Sequence, residues 1–195
     1  MRIIIALVAS VVNIIGYIPY TRDILRAKAR PHPITWGIWT ILVSISAVNQ
    51  VKNGGGYTSF FIISSAVLVA MVFLLSLRYG AKGITLLDKV CLTLALLLLA
   101  YWLTLHETRI STAIAITIDA IGAIPTVIKT YRFPATETYP EWILAGIGGF
   151  LTIFAVPRLD WALLIYPVYV FLMNATVVGV KYSRTKTSKE SAHGD

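Results

Sequence analysis

Asp119 stands near the middle of an apolar run, where a carboxyl group finds no bulk water to solvate its charge. An ionisable group at mid-membrane depth costs about 2.5–3.5 kcal/mol on insertion scales, and such groups face a protein interior or a wet path. A carboxyl so placed can carry a proton or bind a small polar solute. Counting back 106 residues leads to Asn13, also near the middle of an apolar run. Asn174 lies midway along another. Its amide has two uses at that depth, a hydrogen bond to a neighbouring helix or a substrate contact.

The same offset joins more than this pair. Ile15, Gly16, Ile18 and Pro19 meet Ile121, Gly122, Ile124 and Pro125, and Arg26, Ala29 and Trp36 meet Arg132, Ala135 and Trp142. That is seven identities over the 24 positions from 13 to 36. On a helix, Asp119, Gly122, Pro125 and Thr126 fall within a sector of about 120°. Asn13, Gly16, Pro19 and Tyr20 do the same. Each polar group therefore shares a helix face with the Gly-x-x-Pro that follows it, and that face is expected to line a central cavity.

Proline removes one backbone hydrogen bond and its ring clashes with the preceding turn. In lipid the freed carbonyl must be buried against protein or water. Gly16 and Gly122, three residues earlier, remove side-chain bulk, which permits either close helix contact or bending. Together Gly16 with Pro19 and Gly122 with Pro125 are expected to form two hinges at matching depth, a static packing kink being the other reading. Trp36, Trp39 and Trp142 open the second and sixth spans. They suit an aromatic belt at the membrane interface. Trp36 and Trp142, with Tyr20 and Thr126, also suit an inner gate or cavity lining. Tyr166 and Tyr169 suit the outer pathway or an interfacial anchor.

The elements that must carry these groups follow from composition. Of 195 residues, 57% are hydrophobic and 13% charged, against about 25% charged in soluble domains. Apolar runs fill roughly 3–21, 34–51, 58–77, 84–105, 110–128, 141–157 and 161–180, each near the length of about 20 residues that a helix needs to cross a bilayer. The sequence predicts an all-α integral membrane protein with seven transmembrane helices. Asn13 and Pro19 interrupt the first run and no small-residue cleavage site follows, so it reads as a retained helix rather than a signal peptide.

Basic residues orient the spans, because cytoplasmic loops hold them in excess. With the N-terminus outside, the cytoplasmic segments hold Arg22, Arg26, Lys28, Arg30, Arg78, Lys82, Lys89, Lys129, Arg132, Lys181, Arg184, Lys186 and Lys189. The outer segments hold Arg2, Lys52, Arg109 and Arg158, and the two sets exhaust the seventeen basic residues. The net charge of +8 then reflects topology and attraction to membrane lipids, not nucleic acid. The C-terminus is cytoplasmic, with residues 183–195 expected as a disordered basic tail.

The duplication places both copies in the same direction across the bilayer. It predicts two parallel three-helix bundles, 1–78 and 110–182, joined by a linker helix within 79–109, a 3+1+3 arrangement of the kind found in parallel-repeat transporters. This pattern resembles the PQ-loop and SWEET superfamily over residues 1–182. Pro19 and Pro125 stand at that family's proline positions, followed here by Tyr20 and Thr126 rather than glutamine. The phrase IPYTRDILRAKARPHPITWGIW also resembles a group of bacterial membrane proteins. The resemblance implies a transporter of a small-molecule substrate in the inner (plasma) membrane of a prokaryote, a SWEET-like facilitator or a proton-linked carrier. It implies a substrate contact at Asn174, while the third span offers only Ser64 and Ser65 where the family has a second asparagine. Homo-oligomers remain open.

Other classes find less support. His32, His106 and His193 fall in loops or the tail and Cys91 stands alone, so no metal site, cofactor site or catalytic cluster assembles by spacing. A retinal receptor would need a lysine in 161–180, which has none. A receptor or scaffold of the same fold without transport is the remaining alternative.

Overall fold

The computed structural model describes residues 2–52, 58–104, 108–155 and 161–192. Among them are seven α-helices: α1 (Arg2–Leu25), α2 (Pro33–Lys52), α3 (Thr58–Tyr79), α4 (Leu86–Trp102), α5 (Thr108–Arg132), α6 (Tyr139–Ala155) and α7 (Trp161–Ala192). A 3₁₀ turn, Pro134–Thr136, precedes α6, and the described residues contain no strand. Each expected span is thus a helix. His106, Arg158 and His193, and the last residues of the spans 84–105 and 141–157, lie outside the described residues. Stretches of three helices, Ile62–Tyr79, Ile110–Arg132 and Leu164–Thr187, are long and apolar enough to cross a membrane by length and composition. Shorter apolar stretches are Pro33–Val48 and Tyr139–Phe154.

Local chemistry sets the ends. After α1, Ala27 N–H donates to the Ile24 carbonyl and Lys28 N–H to the Asp23 carbonyl, with Ala27 at φ 57. This is a Schellman stop in which alanine takes the left-handed position that glycine occupies most easily. Pro33 begins α2, where its missing N–H costs nothing. Thr85 and Asp88 form a reciprocal capping box at the start of α4, satisfying two backbone donors that the first turn leaves open.

The expectation of a disordered tail is corrected for residues 183–192, because α7 continues as helix to Ala192. The segment holds no helix breaker, and two of its hydroxyls bond back onto the helix: Thr185 donates to the Lys181 carbonyl and Thr187 to the Ser183 carbonyl.

The chain divides into two compact units. One comprises residues 1–30 and 126–195, the other 31–125. In the first, α6 packs against both α1 and α7, and the 3₁₀ turn rests on α7. In the second, α2 packs against α3 and touches α4. Packing therefore does not follow chain order, since α1 shares a unit with the late helices α6 and α7. The division passes through α5 between Pro125 and Thr126.

Candidate functional site

In the first unit the site is built where α1 meets α6. Gly16 is buried there, and a Cβ added to it would lie 2.8 Å from Glu141 Oε2 and 3.2 Å from Leu144 Cβ. The glycine thus serves close helix contact, the first of the two uses its sequence position allows. One turn further along α1, Tyr20 is fully buried. Its hydroxyl donates to Glu137 Oε2 at 3.4 Å, and its ring meets Trp142 edge-on with centroids 6.4 Å apart. Trp142 Nε1 donates to the same oxygen at 2.9 Å.

Glu137 also forms a buried salt bridge with Lys129, near the end of α5. Lys129 Nζ donates in addition to the Arg30 carbonyl at 2.7 Å. The Arg30 N–H in turn donates to the Thr136 carbonyl at 2.8 Å, closing the segment after α1 onto the 3₁₀ turn. One carboxylate therefore ties α1, α5 and α6 together. A buried ion pair holds only when its remaining lone pairs find donors, and here Tyr20 and Trp142 supply them. Lys181 of α7 completes the polar group, donating to the Pro134 carbonyl at 2.7 Å and lying 4.7 Å from the Tyr139 ring centroid.

In the second unit the equivalent glycine makes the equivalent contact. A Cβ on Gly122 would lie 3.0 Å from Ile38 Cγ2 and 3.4 Å from Trp39 Nε1. Leu144 and Ile38 are themselves 106 positions apart, so the duplicated glycine meets the duplicated partner. Trp39 Nε1 donates to the backbone carbonyl of Asp119 at 3.2 Å, and Trp36 stands edge-on to Trp39 at 5.3 Å. A separate polar pair lies at the start of α4. His32 Nε2 is 3.5 Å from Asp88 Oδ1, while Asp88 Oδ2 accepts from Thr85 N–H and hydroxyl at 2.7 and 2.8 Å.

The expected site residues are distributed as follows. Asp119 is buried in the second unit, and Asn13, half-buried, and Asn174, buried, belong to the first. Asn174 Nδ2 donates to the Val170 carbonyl of its own helix at 2.8 Å, and its Cβ sits against Gly146. Its amide thus spends a donor on α7 itself rather than on a neighbouring helix. Pro19 and Pro125 lie inside helices that run on to Leu25 and Arg132. Thr126 is fully buried, its carbonyl accepting from the Thr130 hydroxyl at 2.8 Å. Trp36 and Trp142 are buried at 1% and 2% exposure and Trp39 at 8%. The aromatic-belt reading of these three is corrected on that ground, since a belt residue keeps its ring at the water–lipid boundary. Tyr166 is partly exposed and meets Tyr169 at 6.3 Å.

Sequence reasoning passed over Lys129, Glu137, Glu141 and Lys181, all buried. The signal available was two acids four residues apart, Glu141 beside Trp142 and Glu137 eight residues after Lys129, in a stretch that opens with Lys129 and Arg132. Among the described residues no group of three or more His, Cys, Asp or Glu is placed to hold a metal ion. No family model, curated protein or solved structure matches the chain.

Proposed function

We propose that the chain is a small-solute transmembrane transporter working by alternating access. On this reading it is built on the duplication of residues 1–78 and 110–182 around the fourth span, with its N-terminus outside and its C-terminus in the cytoplasm. The observation that carries the reading is the repeated joint: Gly16 on Leu144 and Gly122 on Ile38, one contact made twice at a single offset. Parallel repeats of this kind suit a carrier in which one element rocks against another around a central site.

Two further features support it. Both joints lie one turn before a proline, where a helix lacks a backbone hydrogen bond and bends at least cost. The division between the compact units falls at the second of these prolines. Large apolar side chains such as Ile18, Val67, Leu74 and Leu97 point outward, each more than 60% exposed, which a lipid solvent accepts and water does not.

The test uses liposomes containing the purified protein in a Cys91→Ala background, with spin labels at Lys28→Cys and Lys82→Cys. Both positions are exposed, one in each compact unit. The expected result is two distance populations, collapsing toward one in Pro19→Ala and in Pro125→Ala, together with uptake of at least one member of a small-solute panel. A single population, unchanged in both proline variants and without uptake, would establish the receptor or scaffold alternative.

A further inference from the structure

Glu141 is used neither by the salt bridge nor by the repeat. It lies in the first turn of α6 at 3% exposure, and its Oε2 is closed off from solvent with no hydrogen-bond partner. That oxygen is pressed against α1 at Gly16, the contact of 2.8 Å to an added Cβ. Any side chain larger than hydrogen at residue 16 would push it away.

The surrounding charges are already committed. Glu137, four residues earlier, adds negative charge beside Glu141 and is paired with Lys129. From α7, the Lys181 ammonium is held by the Pro134 carbonyl and the Tyr139 ring. From α1 come two phenols: Tyr20, which donates to Glu137, and Tyr17, on which Glu141 and Tyr166 both act electrostatically. With Glu137 and Lys129 cancelling, an ionised Glu141 would be a second buried carboxylate with one oxygen lacking any donor. Burying such a charge without donors is among the most unfavourable arrangements in a protein interior. A protonated Glu141 removes the charge and keeps the packing.

We propose that Glu141 is a proton site gated by α1. It holds a proton while α1 is packed at Gly16 and releases it when α1 leaves α6. On release the O–H bond breaks, the electron pair stays on the carboxylate, and the proton passes to water entering the space α1 vacates. The charged form then favours the separated state because it is hydrated there. This rests on the transport reading for its use, as the coupling group of a proton-linked carrier, but the proton site itself can be tested without any substrate.

The experiment is infrared difference spectroscopy of the purified full chain in lipid nanodiscs, wild type against Glu141→Gln. In parallel, labels at Ile18→Cys on α1 and Ile147→Cys on α6, both exposed, report the helix separation in the Cys91→Ala background. At neutral pH the difference spectrum is expected to hold one carbonyl band of a protonated carboxylic acid. On raising the pH the band is lost, and the α1–α6 distance lengthens over the same range. Glu141→Gln keeps the short distance throughout. Gly16→Ala, which displaces Oε2, moves the loss of the band to lower pH and serves as the second variant if Glu141→Gln fails to fold. Absence of the band at every pH overturns the proposal, as does its loss without change in distance, or an unmoved midpoint in Gly16→Ala. Absence of uptake with band and distance change intact would defeat the transport reading and leave the proton site standing.

Discussion

In the first unit Gly16 meets Leu144 and Glu141, while in the second Gly122 meets Ile38 and Trp39. The glycines correspond at the offset of 106, as do Leu144 and Ile38, yet their surroundings differ in kind. Where the first unit has Glu141 and Glu137, the corresponding positions in the second hold Thr35 and Pro31. Thr35 is buried like Glu141 but carries no charge. The contrast separates two constraints. Close approach of the helices demands a small residue at both joints and keeps it. The carboxylate that faces the glycine belongs to the first joint only; at the second an indole N–H and apolar contact face it, and that unit's buried acids are Asp119, one turn before Gly122, and Asp88, beside His32.

The contrast is sharpened most by removing the charge that compensates Glu137. Lys129→Ala leaves a buried carboxylate without its cation and is expected to lower stability by about 3–5 kcal/mol. Substituting Lys129→Met together with Glu137→Leu should recover much of that loss. Thermal unfolding in detergent measures both, and an unchanged melting temperature in Lys129→Ala would show the pair to be dispensable.

A smaller effect compares the joints directly. In Gly122→Ala the new methyl meets Ile38, whose branching at Cβ leaves it little freedom to move, and overpacking of this sort costs about 1–3 kcal/mol. In Gly16→Ala the nearest atom is the tip of a glutamate side chain, which can swing away, so the destabilisation is expected to be less. Equal or reversed losses would mean that the carboxylate tip is held as firmly as the isoleucine.

The smallest effect concerns Asn174. Its Nδ2 donates to a carbonyl of its own helix, and Asn174→Ala keeps the Cβ that packs on Gly146. Stability should fall by only about 0.5–1.5 kcal/mol. A transport defect much larger than this loss explains would assign the other face of the amide to substrate.

The helices were legible because apolar runs of membrane length leave the backbone few alternatives. The paired glycines and prolines were legible because an internal repeat needs only the chain itself for comparison. The charged cluster was not, for a physical reason. Lys129, Glu137 and Glu141 sit at or between helix ends, where side chains are ordinarily hydrated, and no local pattern reports that the segment after α1 folds back onto the 3₁₀ turn through Arg30 and Thr136. The tryptophans failed as an interfacial belt for a related reason. Their place at the start of a helix is the same whether the ring points outward or into the packing, and only helix rotation decides. Residues 183–192 have the composition of a solvated tail, yet Thr185 and Thr187 find acceptors one turn back and no breaker occurs before Gly194.

The bond from Trp39 to residue 119 ends on a main-chain oxygen. Every amino acid supplies that oxygen, so this one bond between α2 and α5 asks nothing of the side chain at 119. Main chain and side chain of one residue thus do separate jobs, the first holding two helices together and the second placing a buried carboxyl beside the joint.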